Sequence, residues 1–214
     1  PVGAPFTRGP LRGGAERSAL RRRLGLAPER FTVLLTGGGE GSGGIARRAA
    51  ALVKQVEGVD VVTICGRNLR LRRRLERVAR HSGGRLHVQG FVDNMADWLR
   101  AADAVVTKAG PGTIAEATAC GAPLLLTSHV PGQEKGNTEF VVGAGAGAHV
   151  SGIEDMVNEV RRLRDDPSVV EGMRTAAIRL SRPHAAIDIA HLIAARVGLE
   201  ELDVPEPLGH VAEG

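Results

Sequence analysis

"DAVVTKAGPGTIAEATACGAPLLLT", Asp103 to Thr127, decides the fold. It opens with a short apolar run, Asp103–Lys108, rich in β-branched residues. A Gly-Pro-Gly turn follows, then a helical stretch near Ile114–Cys120 and a second apolar run, Ala122–Thr127. Two short strands separated by one helix cannot be a tight hairpin; such a crossover fits strands of a parallel sheet.

The same alternation extends both ways. Upstream, "FTVLLT" (Phe31–Thr36) is a strand closed by glycines. Ile45, Ala49, Leu52, Val53 and Val56 then recur at helical spacing. "VDVVTIC" (Val59–Cys65) is a second strand, Asn68–Arg80 a very basic helix, "LHVQG" (Leu86–Gly90) a third strand, and Met95–Ala101 a short helix. Downstream, a helix from Lys135 to about Val142 precedes a short strand at Ala148–Val150. Helices near Ile153–Arg164, Ser168–Leu180 and His184–Val197 complete the chain. Alternating strands and helices predict an α/β fold: a Rossmann-like, doubly wound parallel sheet covered on both faces. The expected layout is a hinge or linker with a lead-in helix over 1–30, the sheet domain over 31–197, and a loose acidic tail over 198–214. "PVGAPFTRGPLRGG" has linker composition, and the first residue is Pro1, so one domain of a longer protein is expected.

Composition narrows the function. Of 214 residues, 43 % are hydrophobic, enough for one full core. Aromatics are four Phe and one Trp with no Tyr, which disfavours a nucleic-acid binder built on base stacking, despite a net charge of +4. Basic runs such as Arg21–Arg23 and Arg72–Arg74 read as solvated helix faces or as a patch for anionic lipid or phosphate. Cys65 and Cys120 alone cannot build a disulfide framework or a four-ligand zinc site, and their apolar settings predict buried free thiols in a reducing compartment. No apolar run approaches the length of a membrane span.

Ligands of such sheets bind at the carboxyl ends of the strands, and four polar loops fall there: Gly37–Gly44, Gly90–Met95, Lys108–Thr113 and Ser128–Asn137. "GGGEGSGG" follows the first strand and opens a helix, as a phosphate cradle would. It contains G-x-G-x-x-G at Gly39, Gly41 and Gly44. The acidic residue that a nicotinamide or flavin dinucleotide requires after the second strand is absent, since Asp60 stands at that strand's start. No Gly-Lys-Ser/Thr follows, which excludes a P-loop. Pro111 suits a first helical turn. Thr113 and Glu116 have the spacing of a capping box, so Glu116 either ties down its own helix or accepts from the two hydroxyls of a ribose. Gln133, Glu134 and Asn137 suit sugar hydroxyls or the cap of the next helix. Lys108 is a phosphate ligand or a solvated tip, and His129 a loop residue near the same edge. No Ser-His-Asp order or metal cluster can be assembled.

Taken together, "GGGEGSGG", "GFVDNM" and "TKAGPGTIAEATACGAPLLLTSHVPGQEKGN" resemble the C-terminal domain of monogalactosyldiacylglycerol synthases and bacterial diacylglycerol glycosyltransferases. A more distant resemblance is to the N-acetylglucosaminyltransferase of peptidoglycan precursor synthesis. It implies one half of a GT-B glycosyltransferase, whose other half carries the acceptor site and the catalytic base. It also implies a UDP-hexose donor, a lipid acceptor such as diacylglycerol, no cofactor or essential metal, no nucleic acid, and a cytoplasmic position, peripheral at the inner face of the plasma membrane on an anionic surface. By position, Gly38, Gly39 and Glu40 would lie beside the diphosphate. Phe91 and Val92 would hold the uracil, Val92 through its backbone. Gly110, Pro111, Gly112 and Thr113 would present helix-end amides to the phosphates. Glu116 would take the ribose, and Gln133, Glu134 and Asn137 the sugar. A UDP-sugar epimerase or hydrolase, or a non-catalytic nucleotide-sugar-binding module, are the alternatives on the same architecture.

Overall fold

The computed structural model describes residues 4–11, 13–37, 44–127 and 135–198. Six strands form one parallel sheet: β1 (Phe31–Thr36), β2 (Val59–Ile64), β3 (Leu86–Gln89), β4 (Ala104–Thr107), β5 (Leu124–Leu126) and β6 (Gly147–His149). Their order is β3-β2-β1-β4-β5-β6, with β1 paired in parallel to both β2 and β4. The sheet therefore winds outward in both directions from the β1–β4 seam, the doubly wound topology whose crevice opens at that seam.

Period-two alternation explains the layers. Val33 and Leu35 of β1, Ala104 and Val106 of β4, and Leu125 of β5 enter one buried cluster. Leu34, Val105, Leu124 and Leu126 enter the other. A strand buried on both faces has no polar side to show, which is why these segments read as unbroken apolar runs. The first cluster is covered by α3 (Ile45–Gln55), α4 (Leu69–Ala79), α8 (Ile153–Asp165) and α9 (Pro167–Leu180). The second is covered by α2 (Gly14–Arg23), α5 (Met95–Ala101), α6 (Pro111–Ala119) and α7 (Lys135–Gly143), and α9 reaches it as well through Ala177 and Leu180. The short α1 (Ala4–Thr7) and the terminal α10 (Ala185–Arg196) complete the described chain. In the edge strand β6, a Cβ on Gly147 would collide with the Leu124 carbonyl, so glycine lets β6 approach β5.

The amino-terminal segment is docked. Phe6 and Leu11 pack against the second cluster, and Arg100, 6 % exposed, donates to the carbonyls of Gly9 and Pro5 at 2.8 and 2.6 Å. Arg21 departs from the solvated-face expectation for its run. It is buried and donates to Ala101 O at 2.9 Å and to Asp103 Oδ2 at 2.6 Å. Asp103 also accepts from Thr32 N at 2.8 Å, so one carboxylate clamps α2, β1 and β4 together at the amino end of the seam. Cys65 and Cys120 are buried free thiols, as expected, and burial pushes both up to about 11.

Candidate functional site

The carboxyl ends of β1 and β4 meet at Thr36 and Thr107. Beyond β1 the chain enters the glycine-rich loop. Beyond β4 it turns through Lys108, Ala109 and Gly110 into α6. Gly110 is the N-cap of that helix in extended backbone (φ −68°, ψ 133°), and Pro111 is its first residue. Proline suits this position because its missing N–H would have had no intrahelical partner. The amides of Gly110, Gly112 and Thr113 have no acceptor among the described residues. The first bond of the helix runs from Ile114 N to Gly110 O at 3.1 Å. Open amides at a helix start, at the switch point of a parallel sheet, make an anion-binding end.

This geometry removes one of the two uses open to Glu116. A capping box needs Thr113 at the N-cap, but the helix begins two residues earlier, and no side chain caps it. Thr113 is the third helical residue and Glu116 the sixth. Glu116 is half-buried, and burial pushes its carboxyl above the usual carboxylate range. A helix that does not need this carboxylate for its end nevertheless keeps it partly out of water.

Around this end the neighbouring loops are fixed from below. Asn94 accepts from Trp98 Nε1 at 3.1 Å, holding the turn after β3. Within that turn Val92 packs its side chain on the second cluster. The Phe91 ring is 68 % exposed and lies 5.3 Å from the Arg67 guanidinium. Asn137, in the first turn of α7, donates from Nδ2 to Ala109 O at 2.9 Å. The structure thus brings Gly110, Pro111, Gly112, Thr113 and Asn137 together, with Glu116 one and a half turns along α6. Gly38, Gly39, Glu40, Gln133, Glu134 and His129 lie outside the described residues.

One cation near this edge was not anticipated. Gly44, the left-handed N-cap of α3 (φ 78°), sits so that a Cβ there would be 3.1 Å from Arg48 Nη1. A guanidinium beside a helix N-terminus has the unfavourable sign for the helix dipole. The first turn of α3 carries no acidic residue, and burial followed by Arg47 lowers the Arg48 pKa. The signal was available as "IARR" after a glycine loop, but periodicity alone assigns Arg48 to the helix surface.

The described cavities lie elsewhere. One of about 370 Å³, lined by Arg17, Arg21, Arg30, Asp103 and Arg164 among others, opens at the amino end of the sheet. Its charges are largely consumed: Arg21 and Arg17 face Asp103, and Arg30 pairs with Asp60 at 3.2 Å. Among the described residues, no cluster of His, Cys, Asp and Glu could hold a metal ion.

A six-stranded parallel sheet wound outward from a β1–β4 switch point, with the open amides of α6 beside it, defines a doubly wound, Rossmann-like α/β domain. Residues 32–185 match the glycosyltransferase family 28 C-terminal domain, and the chain belongs to that family. It is 38% identical over 178 residues to the probable monogalactosyldiacylglycerol synthase 3, chloroplastic, of Oryza sativa subsp. japonica, covering 79% of this chain and 35% of that protein. Monogalactosyldiacylglycerol synthase 3, chloroplastic, of Arabidopsis thaliana is 37% identical over 182 residues, covering 81% of this chain and 38% of that protein. The chain thus spans well under half the length of these curated relatives. Among solved structures, Acinetobacter baumannii MurG superposes with a TM-score of 0.67 at 20% identity, over 79% of this chain and 53% of that one. Anabaena HepE in complex with UDP-glucose superposes with a TM-score of 0.66 at 18% identity, over 92% and 56%. These last two establish the shared GT-B half-fold.

Proposed function

We propose that this chain is the donor-binding domain of an inverting hexosyltransferase that moves a hexose from UDP to a lipid hydroxyl, diacylglycerol being the acceptor. The observation that carries it is the family match running from β1 to the start of α10, which spans the whole sheet and both helix starts. The names of the plant relatives support the lipid acceptor. The nucleotide-sugar held by a protein of the same fold supports the donor.

In this reading the open amides of Gly110, Gly112 and Thr113 receive the diphosphate, Glu116 accepts from the ribose hydroxyls, and the backbone at Phe91–Val92 meets the uracil. Gly38, Gly39 and Glu40 lie by the phosphates, with Gln133, Glu134 and Asn137 toward the sugar. The acceptor hydroxyl attacks the anomeric carbon as the bond to the β-phosphate oxygen breaks. Negative charge then grows on the departing UDP, where helix-end amides and Arg48 are worth most. The base that takes the acceptor proton comes from the part of the relatives that this chain does not span. No metal or cofactor enters.

No helix of the described residues is long and apolar enough to cross a membrane. The surface of α4 supports peripheral attachment on the cytoplasmic side instead. Arg70, Arg73, Arg74 and Arg77 are exposed there, and Leu69 is 62 % exposed beside them, a composition suited to anionic lipid.

Calorimetry tests the donor. UDP is expected to bind more tightly than UMP, and UMP more tightly than uridine, because each phosphate adds charge-assisted bonds to open amides. No binding of UDP, or equal affinity for UDP and uridine, would overturn the proposal.

A further inference from the structure

We propose that Asn137 is a positioning residue: its side-chain amide sets the orientation of the Ala109–Gly110 peptide, and with it the first amide of the phosphate-binding turn. The inference rests on the donor-site reading above and departs from it in the task given to Asn137.

Asn137 Nδ2 donates to Ala109 O at 2.9 Å across 28 residues of sequence. Ala109 is fully buried, so its carbonyl has no water to turn to, and an unpaired buried carbonyl is costly. The peptide unit is planar and trans, so C=O and N–H point in opposite directions. Fixing the Ala109 carbonyl on α7 therefore aims the Gly110 N–H away from α7, where no protein acceptor meets it among the described residues.

The residue at 110 makes such a lock necessary. Rotating the Ala109–Gly110 peptide by half a turn would carry φ of Gly110 from −68° to positive values. A residue with a Cβ resists that region, whereas glycine enters it freely. After such a flip a carbonyl would replace the N–H at the anion site. Glycine lets the backbone approach a phosphate closely, and the Asn137 amide removes the alternative orientation that glycine permits.

A sugar-contacting Asn137 and a peptide-locking Asn137 respond differently to substitution. Asn137→Asp keeps the shape and an acceptor for sugar hydroxyls, but it loses the donor and sets a carboxylate against a carbonyl. Asn137→Ala loses everything beyond Cβ. Affinities for uridine, UDP and UDP-hexose are measured on both variants of the whole chain. Amide hydrogen exchange over 109–114 is followed without ligand.

Locking predicts that UDP and UDP-hexose weaken by the same factor, about tenfold for loss of one charge-assisted bond. Uridine should be unchanged, Asp no better than Ala, and exchange over 109–114 faster in both variants. Weakening confined to UDP-hexose, with Asp tolerated, would make Asn137 a sugar ligand and overturn the proposal. Equal weakening of uridine together with a lower Tm would reduce it to a structural residue. Unchanged exchange over 109–114 would refute the lock even if wild type bound no UDP, an outcome that would separately defeat the donor-site reading.

Discussion

At the amino ends of β1 and β4, Asp103 is surrounded by donors: Arg21 at 2.6 Å, the Thr32 amide at 2.8 Å, and Arg17 at 3.4 Å. Beside it Arg174 is buried among cations, and burial with Arg17 brings it down to about 10. At the carboxyl ends of the same two strands, the amides of Gly110, Gly112 and Thr113 meet no protein acceptor among the described residues. Glu116 sits half-buried there without capping its helix. Arginine-rich charge at one end is spent on holding α2 to the sheet. Donors at the other end meet no acceptor among the described residues. Arginines around a cavity thus do not mark unsatisfied donors here, whereas the glycine-proline helix start does among the described residues.

The sharpest break in that comparison is Asp103→Ala. Removing one partner of a buried ion-pair network leaves uncompensated charge and costs about 3–5 kcal/mol. Denaturant unfolding should show it, while UDP affinity of the folded fraction stays at the wild-type value. A loss of UDP affinity at full folding would mean that the two ends are not separate in function.

Why the two ends were unequally legible follows from sequence distance. β1, β2 and the strand–helix alternation could be read because buried parallel strands announce themselves locally, and Phe31–Thr36 was placed to the residue. Pro111 marked the true start of α6, whereas the T-x-x-E spacing pointed three residues too late. Spacing identifies a capping box only if the first helical residue is known, and Pro111 had already fixed it. The burial of Arg21 was hidden because Asp103 is 82 residues away; a run of three arginines looks uniform until one of them finds a partner. The Asn137–Ala109 bond was equally hidden, since it joins the turn after β4 to the first turn of α7, which meet only after β5 is laid beside β4. Gly38, Gly39, Glu40, Gln133 and Glu134 fall outside the described residues and keep their assignments as proposals.

Glu116→Gln sharpens the comparison at the other end. Burial disfavours the carboxylate, so the neutral amide should leave the Tm of the empty chain unchanged or higher. UDP affinity should drop by roughly 1.5–3 kcal/mol, about ten- to a hundredfold, for loss of a charge-assisted bond to ribose. The pH dependence carries the same sign. A carboxyl whose pKa is raised on folding binds more protons in the native state, so its contribution to stability increases as pH falls through the raised value. Ribose binding needs the carboxylate, so the UDP advantage of wild type over the Gln variant should shrink over the same interval. A variant with a lower Tm and unchanged UDP affinity would return Glu116 to a purely structural task.

The smallest expected effect is on α4, away from both ends of the seam. Arg73→Gln should leave UDP binding alone and weaken association with vesicles containing acidic lipid by about 1 kcal/mol, roughly fivefold. Added salt should erase the difference. Vesicle binding indifferent to both salt and the substitution would remove α4 from the membrane surface.

Amide hydrogen exchange with and without UDP tests the central distinction most directly, because both ends of the seam report in one experiment. Protection on UDP binding is expected over Gly110–Ile114 and around Phe91–Val92. Exchange over Arg17–Arg30 and at Asp103 should be unchanged. Protection of the Arg17–Arg30 segment, with Gly110–Ile114 unaffected, would place the nucleotide in the arginine-lined cavity and contradict the assignment of the donor site to the carboxyl edge.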